Sequence, residues 1–375
     1  MSITIAQVRE VLRTVTDLPD PAAGDPAAGA PAAGRALAGF VKDSDIQLKG
    51  DAVSVTLTLG YPARHVARQI EQTLRQALLD AGAAQAQVTA DWAVKAHAVQ
   101  RGLKPLANVR NVIAVASGKG GVGKSTTAVN LALALAADGA RVGMLDADIY
   151  GPSVPTMLGI SGRPASHDNK TMEPLQGHGL EANSIGFLID ADAPAIWRGA
   201  MVTRAFEQML RQTNWGDLDY LIIDMPPGTG DLALTLAQKV PVVGAVIVTT
   251  PQDLALQDAR KGLRMFQKVD VPVLGVVENM AVHICTQCGH AEHIFGEGGG
   301  RRMAQQYQVP WLGSLPLTMR IREQTDAGRP TLVSDPDSEA AQQYREIARQ
   351  LARAVAALPR DMAGKLPSIV VEPPN

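Results

Sequence analysis

Two stretches of this 375-residue chain hold side chains whose types and spacing could do chemistry. The first is Gly118-Lys-Gly-Gly-Val-Gly123-Lys124-Ser125, which fits the pattern G-x-x-x-x-G-K-[ST]. Glycines let backbone N–H groups turn toward a phosphate, and the start of a following helix adds roughly half a positive charge there. Lys124 is then placed to reach the β- and γ-phosphates of a nucleotide, and the Ser125 hydroxyl to bind Mg²⁺. The second stretch is His283-Ile-Cys285-Thr-Gln-Cys288-Gly-His290-Ala-Glu-His293. It gathers both cysteines of the chain and three of its seven histidines. Two thiolates three residues apart can grip one metal ion or one edge of a cluster.

Two acidic segments accompany the glycine-rich loop. Asp146-Ala-Asp148 follows one apolar run, and Asp224-Met-Pro-Pro-Gly228-Thr-Gly-Asp231 follows another. A carboxylate at such a point can hold a metal-bound water, and a neighbour can orient an attacking water. Four apolar residues and then Asp is the Walker B pattern, which puts Asp224 near Mg²⁺, while Gly228 could offer its N–H to a γ-phosphate. Either aspartate could instead cap a helix. The cysteine segment admits several readings. A redox C-x-x-C normally opens a helix after a strand, and Gly289 argues against that. A mononuclear Cys₂His₂ zinc site can be assembled locally. Iron–sulfur clusters usually take four cysteines, so one chain supplies half a site and a symmetric dimer a whole one.

The elements that must position these residues are legible from periodicity. Apolar runs at 112–116, 141–145, 220–223, 245–248 and 273–277 suit strands buried on both faces. Helical stretches such as 126–137 and 255–268 lie between them, so the pattern predicts an α/β fold with a mostly parallel sheet covered by helices on both faces. Ligands of such sheets bind at the carboxyl ends of the strands, where every motif above falls. The first 95 residues differ. They read as a helix over 1–17, a hairpin over 46–59 turning at Gly50-Asp51, a helix over 63–82 and a strand over 87–92. The threefold Pro-Ala-Ala-Gly repeat from Pro21 to Gly34 has no side chains able to build a core and reads as a flexible loop.

Composition bounds the rest. The formal net charge is −2, charged residues are 19% and apolar residues 46%, which excludes wholesale disorder and binding to nucleic acid through bulk charge. No run approaches the roughly 18 apolar residues of a membrane span. The start carries no secretory pattern, and two cysteines exclude a disulfide framework. The expectation is a cytoplasmic protein that engages neither membrane nor nucleic acid.

The motifs together resemble known families. Gly118-Lys119-Gly120-Gly121-Val122-Gly123-Lys124-Ser125-Thr126 resembles the deviant Walker A motif of the MinD/ParA/nitrogenase-iron-protein class. In that class a lysine at the place of Lys119 reaches across a nucleotide-sandwich dimer, which implies an ATP-dependent homodimer. With Asp146-Ala-Asp-Ile-Tyr-Gly-Pro-Ser153, Asp224–Asp231, Glu278-Asn-Met280, Cys285-x-x-Cys288-Gly-His and Phe295-Gly296, the chain resembles the Mrp/ApbC iron–sulfur cluster carrier ATPases over about residues 100–355.

That resemblance implies transient binding of a [4Fe–4S] cluster at the dimer interface, exchange with scaffold proteins and apoproteins, and ATP hydrolysis. It makes Lys119, Lys124 and Asp148 catalytic, with Asp148 positioning water. It places Asp146 on the Mg²⁺ side with Ser125 and Asp224, Asn279 on the adenine, and Cys285 and Cys288 on the cluster. The expected organisation is a small α+β domain over 1–95 with its loop at 19–35, a linker over 96–110, the ATPase domain over 111–358 and a tail over 359–375. The first of these looks like the iron–sulfur-assembly domain often fused to such carriers, though Tyr61 stands where some relatives carry a cysteine. Rival readings are a positioning ATPase, a zinc-stabilised binder and a reductase with a stable cluster.

Overall fold

A computed structural model describes residues 3–17, 35–189, 199–285 and 287–360 of the chain. The expected flexible loop 19–35 and tail 359–375 lie outside the described residues except at Arg35, Pro359 and Arg360. In chain order the strands are β1 (Ile46–Lys49), β2 (Ala52–Leu59), β3 (Gln85–Trp92), β4 (Val112–Ala116), β5 (Val142–Asp146), β6 (Leu175–Gly177), β7 (Leu180–Ser184), β8 (Tyr220–Asp224), β9 (Gly244–Thr249), β10 (Val273–Glu278), β11 (His283–Ile284), β12 (Ala291–Glu292) and β13 (Trp311–Ser314).

Eight of them form one sheet in the order β13-β10-β9-β4-β8-β5-β7-β6. Its neighbours run parallel except β6, which returns antiparallel along β7. Strands β4, β5, β8 and β9 are buried at every position, as continuous apolar runs demand when helices cover both faces. Alternate residues serve the two faces. Ile113, Val115 and Ile222 join a core with the helices Lys124–Ala137 and Glu339–Ala356. Val112, Ala114, Leu221 and Ile223 join another with the helices Gly199–Gln212, Asp231–Lys239 and Asp253–Lys268. The anticipated doubly covered parallel sheet is therefore present. Strands β6, β7 and β13 were not anticipated. They are short and lie at or next to the edges; β6 and β13 are only partly buried, and Glu181, Asn183 and Ser184 interrupt any apolar run in β7. Among the described residues no helix is long and apolar enough to cross a membrane.

The N-terminal elements form a separate three-stranded sheet, β1-β2-β3. Strands β1 and β2 make the expected hairpin, and β3 pairs parallel to β2 after the helix Ala67–Asp80. The first helix is shorter than expected, Ile5–Thr14, because Thr4 and Gln7 form a capping box that starts it. Val53, Val55, Leu57 and Leu59 point inward and share one apolar cluster with Leu351, Ala352 and Val355 of the helix Glu339–Ala356.

Buried polar contacts fasten the two sheets together. Asp17, fully buried, takes a bidentate ion pair from Arg353 of that helix at 3.0 and 3.1 Å. Tyr61 donates its hydroxyl to the same carboxylate at 2.8 Å, and the Arg35 N–H donates to it at 2.7 Å. Burial, and then the Asp17 charge, hold the Tyr61 phenol far above its ordinary range. At a second point the backbone of Arg64 donates to the Asp138 carbonyl, and the His65 ring sits 2.5 Å from the Asp138 carboxylate. Asp138 follows the helix Lys124–Ala137 directly, so the N-terminal unit grips the end of that helix remote from the glycine-rich loop.

The stretch 96–110, expected as a linker, is pinned at its start. His97 is buried against Asn111 at 2.8 Å, burial lowers its pKa, and the Ala98 N–H donates to the Pro359 carbonyl. Asn111 in turn donates to the carbonyls of Lys95 and Asp219. Removing one partner of a buried ion pair costs about 3–5 kcal/mol, because the other charge stays desolvated. Arg353→Ala should therefore lower unfolding free energy by about that much in urea titrations, whereas a loss below about 1 kcal/mol would show that apolar contacts alone hold the two sheets together.

Candidate functional site

The site is built where β4 ends. Ser117 leaves the strand, residues 118–123 turn, and Gly123 caps the helix Lys124–Ala137 in the left-handed region with φ +79°. That conformation excludes a side chain at little less than 1–2 kcal/mol. The loop is also crowded from outside. A Cβ on Gly118 would lie 2.1 Å from the backbone of Asp258, and one on Gly123 would lie 2.1 Å from the Asn279 amide nitrogen. Glycine is thus required at Gly118 by close approach and at Gly123 by close approach as well as by backbone shape. Gly120, with nothing within 4 Å, faces open space. Lys119 is half-buried, and its carbonyl accepts the Ser117 hydroxyl at 2.8 Å. Thr126 lies half-buried in the first turn of the helix and accepts from Asn130 through its carbonyl.

Lys124 is 6% exposed and donates to Asp224 at 2.6 Å and to the Ser125 hydroxyl at 3.0 Å. The structure therefore brings Lys124, Ser125 and Asp224 together within one hydrogen-bonded group. The second oxygen of Asp224, Oδ2, is buried without a partner. A buried, unsatisfied carboxylate oxygen beside a hydroxyl is the donor set a hard divalent cation takes, so the residues present fit Mg²⁺.

Asp146 and Asp224 are register partners on the adjacent strands β5 and β8, both fully buried. Burial, and then the Asp224 charge beside it, push Asp146 up to about 7. Four donors hold its carboxylate: the N–H groups of Asp148, Ser153 and Val154, and the Ser184 hydroxyl. Asp146 thereby organises the loop that carries Asp148, whose own pKa burial raises. The Gly228 N–H donates to the Ser117 carbonyl at 3.0 Å, so reaching a γ-phosphate requires that bond to open. Asn279 follows β10 directly and donates its amide to the Val122 carbonyl at 2.9 Å. It therefore sits against the phosphate loop.

The cysteines hang from the same sheet edge. Strands β11 and β12 pair as a small hairpin, and Cys285 and Cys288 occupy its tip. The Cys285 N–H donates to the His290 carbonyl and the Gly289 N–H to the Cys285 carbonyl. The N–H groups of Cys288 and then Gln287 lean on the Cys285 sulfur and hold its thiol below the ordinary range, which favours the thiolate that binds metal. Two of the three histidine rings in the segment contact backbone carbonyls. His283 Nδ1 meets the Leu317 carbonyl at 3.1 Å and His293 Nδ1 the Ala281 carbonyl at 2.8 Å. Among the described residues no group of three or more His, Cys, Asp or Glu is arranged to hold a metal.

Sequence reasoning missed the Asp146 donors Ser153 and Ser184, and it gave Glu278 no role. Glu278 is a buried carboxylate closing an apolar strand, a signal as plain as that of Asp224.

Comparison with known proteins adds three findings. The family model described as NUBPL iron-transfer P-loop NTPase matches residues 108–352, and that of an iron–sulfur cluster assembly protein matches residues 29–92. A Pseudomonas fragi protein named iron–sulfur cluster carrier protein is 62% identical over 71% of this chain and 94% of its own. A Haemophilus influenzae protein of the same name is 52% identical over 82% of this chain and 83% of its own. Among solved structures, a nucleotide-binding protein from Archaeoglobus fulgidus in complex with ADP is 38% identical over 62% of this chain and 90% of its own, with a TM-score of 0.54.

Two outcomes follow from the geometry. Gly123→Ala should destabilise the chain by roughly 1–2 kcal/mol through its φ alone and displace Asn279, whereas Gly120→Ala should leave the unfolding midpoint nearly unchanged. A cation beside Asp224 favours the ionised form of Asp146, so Mg²⁺·ADP binding should release protons near pH 7. Above about pH 9 Asp146 is already ionised and the release should vanish. Calorimetry in buffers of different ionisation enthalpy reads both.

Proposed function

Because this chain belongs to the NUBPL iron-transfer P-loop NTPase family, we propose that it is an ATP-hydrolysing iron–sulfur cluster carrier that takes up a [4Fe–4S] cluster at a homodimer interface and passes it to apoproteins. One observation carries the reading: a phosphate loop and a two-thiol hairpin share one sheet edge, joined through the end of β10.

The chemistry follows from the residues. The backbone N–H groups of residues 118–123 and the start of the helix Lys124–Ala137 cradle the triphosphate of ATP. Lys124, now shared with Asp224, turns its charge to the β- and γ-phosphates. Ser125 and Asp224 would hold Mg²⁺, which would supply positive charge against the polyphosphate. Asp148, on the loop that Asp146 organises, orients the attacking water in line with the γ-phosphorus. Lys119 reaches the phosphates bound by a second copy. Phosphoryl transfer to water is largely positioning and charge stabilisation, so these contacts suffice in kind. Loss of the γ-phosphate then lets the Gly228 N–H return to Ser117, a local change with a distant readout.

A second copy is supported by the surface around the site. Tyr150, Leu254, Ile284, Ile294 and Met319 are large apolar side chains, 37–70% exposed, beyond the carboxyl ends of β5, β9, β10 and β13. Apolar exposure gathered on one edge marks an association surface. The two thiols of each subunit leave a four-thiolate cluster to be completed by two more from the partner. The cluster is cargo: two thiolates on each of two solvent-facing hairpins can be exchanged for those of a recipient. The N-terminal unit acts as a fixed docking surface for those recipients, with its own sheet locked to the ATPase.

Anaerobic reconstitution with iron and sulfide tests this. About four Fe and four S per dimer are expected, lost in Cys285→Ala/Cys288→Ala. Retained zinc without sulfide would overturn the carrier reading. Lys119→Ala should abolish ATP turnover and cluster transfer while leaving the monomer folded.

A further inference from the structure

The cysteine hairpin is part of an excursion that leaves the sheet after Glu278 and returns at the helix Gly299–Gln306. Glu278 closes the neck of that excursion. Its carboxylate, 2% exposed, accepts the Gly298 N–H at 3.2 Å and the Gly300 N–H. The buried charge is thus satisfied by the first turn of a helix, where the dipole favours an anion. The fit leaves no slack. A Cβ on Gly300 would meet Glu278 at 3.1 Å and the Trp311 ring at 3.2 Å, and a Cβ on Gly299 would meet Leu256 at 2.5 Å. The glycines after the cysteines, which their composition suggests as a source of mobility, form a socket for one carboxylate. Further bonds stiffen the excursion: His293 to the Ala281 carbonyl, His283 to the Leu317 carbonyl and the Ala281 N–H to the Leu315 carbonyl.

The next residue in the chain, Asn279, is held to the Val122 carbonyl of the phosphate loop and, through its N–H, to the Thr249 carbonyl at 2.7 Å. Two consecutive side chains therefore face opposite ways, one onto the nucleotide loop and one onto the neck of the cysteine excursion. We propose that Glu278 is a positioning residue that makes the cysteine loop move with the phosphate loop, so that the nucleotide state sets the placement of Cys285 and Cys288. This rests on the carrier reading above and assigns the link inside it. With the neck closed, a displacement of Val122 and Asn279 is passed to Gly298 and Gly300 and from there to the hairpin. With the neck open, the same displacement ends at Asn279.

The test uses the full-length protein and Glu278→Gln, which keeps the volume but offers one acceptor where the carboxylate offers two. Couplings of this kind run from about fivefold upward, so saturating Mg²⁺·ATP should change the rate of iron loss from the reconstituted wild type to a chelator by at least that factor. In Glu278→Gln the ATP effect should fall below about twofold, while ATP affinity and iron content stay within about twofold of wild type. A merely structural cap would lower the melting temperature and leave the ATP effect intact, and that result would overturn the proposal. So would a wild type without any ATP effect.

Hydrogen exchange on the metal-free wild type reads the link without cluster or substitution, and it decides the matter should the variant fail to fold. ATP should alter protection across residues 283–300 together with the phosphate loop, and unchanged protection there overturns the proposal. Altered protection in a protein that loads no cluster would support the link and overturn only the carrier reading.

Discussion

Everything at this site depends on how two fully buried carboxylates are kept side by side. Asp146 and Asp224 sit in register at the ends of neighbouring parallel strands, a placement that repulsion and desolvation both oppose. The fold meets it in two ways. Lys124 supplies a buried positive charge to Asp224, and four donors wrap Asp146. Each measure also shapes the machinery. Wrapping Asp146 builds the loop of Asp148, and pairing Lys124 with Asp224 places the lysine at the mouth of the phosphate loop. The site is thus poised by an electrostatic tension that a polyphosphate with its cation relieves from both sides.

Much of this was legible in the sequence, for a physical reason. A phosphate loop is a local backbone device, so Gly118 to Ser125 announce it within eight residues, and apolar runs announce strands buried on both faces. The parallel sheet, its helical cover and the ATPase family all follow from that. What was not legible depends on distant partners. Nothing near Asp17 foretells Arg353, and nothing near Asp146 foretells Ser184. The edge strands β6, β7 and β13 lack a two-sided apolar signal. The histidines around the cysteines invite a metal reading by type alone, yet the His283 and His293 rings each contact a carbonyl that only the folded chain brings near.

The N-terminal unit shows the same lesson at larger scale. Its alternating strands read as a small independent domain, and it has its own sheet. Its core nonetheless merges with that of the ATPase, and a buried Asp17–Arg353–Tyr61 group stands where a swinging domain would show solvent. Buried charges of this kind fix one arrangement over others more than they add stability. The two units therefore present a constant relative geometry to whatever docks on them, with the far end of the phosphate-loop helix as their common boundary.

That helix has a consequence for how the chain is made. From Thr127 to Leu135 every residue of it is buried, and most of the stability of a packed helix comes from its tertiary cover. Part of that cover is the helix Glu339–Ala356, synthesised some two hundred residues later. During translation the phosphate loop is thus complete in sequence long before it can be complete in structure.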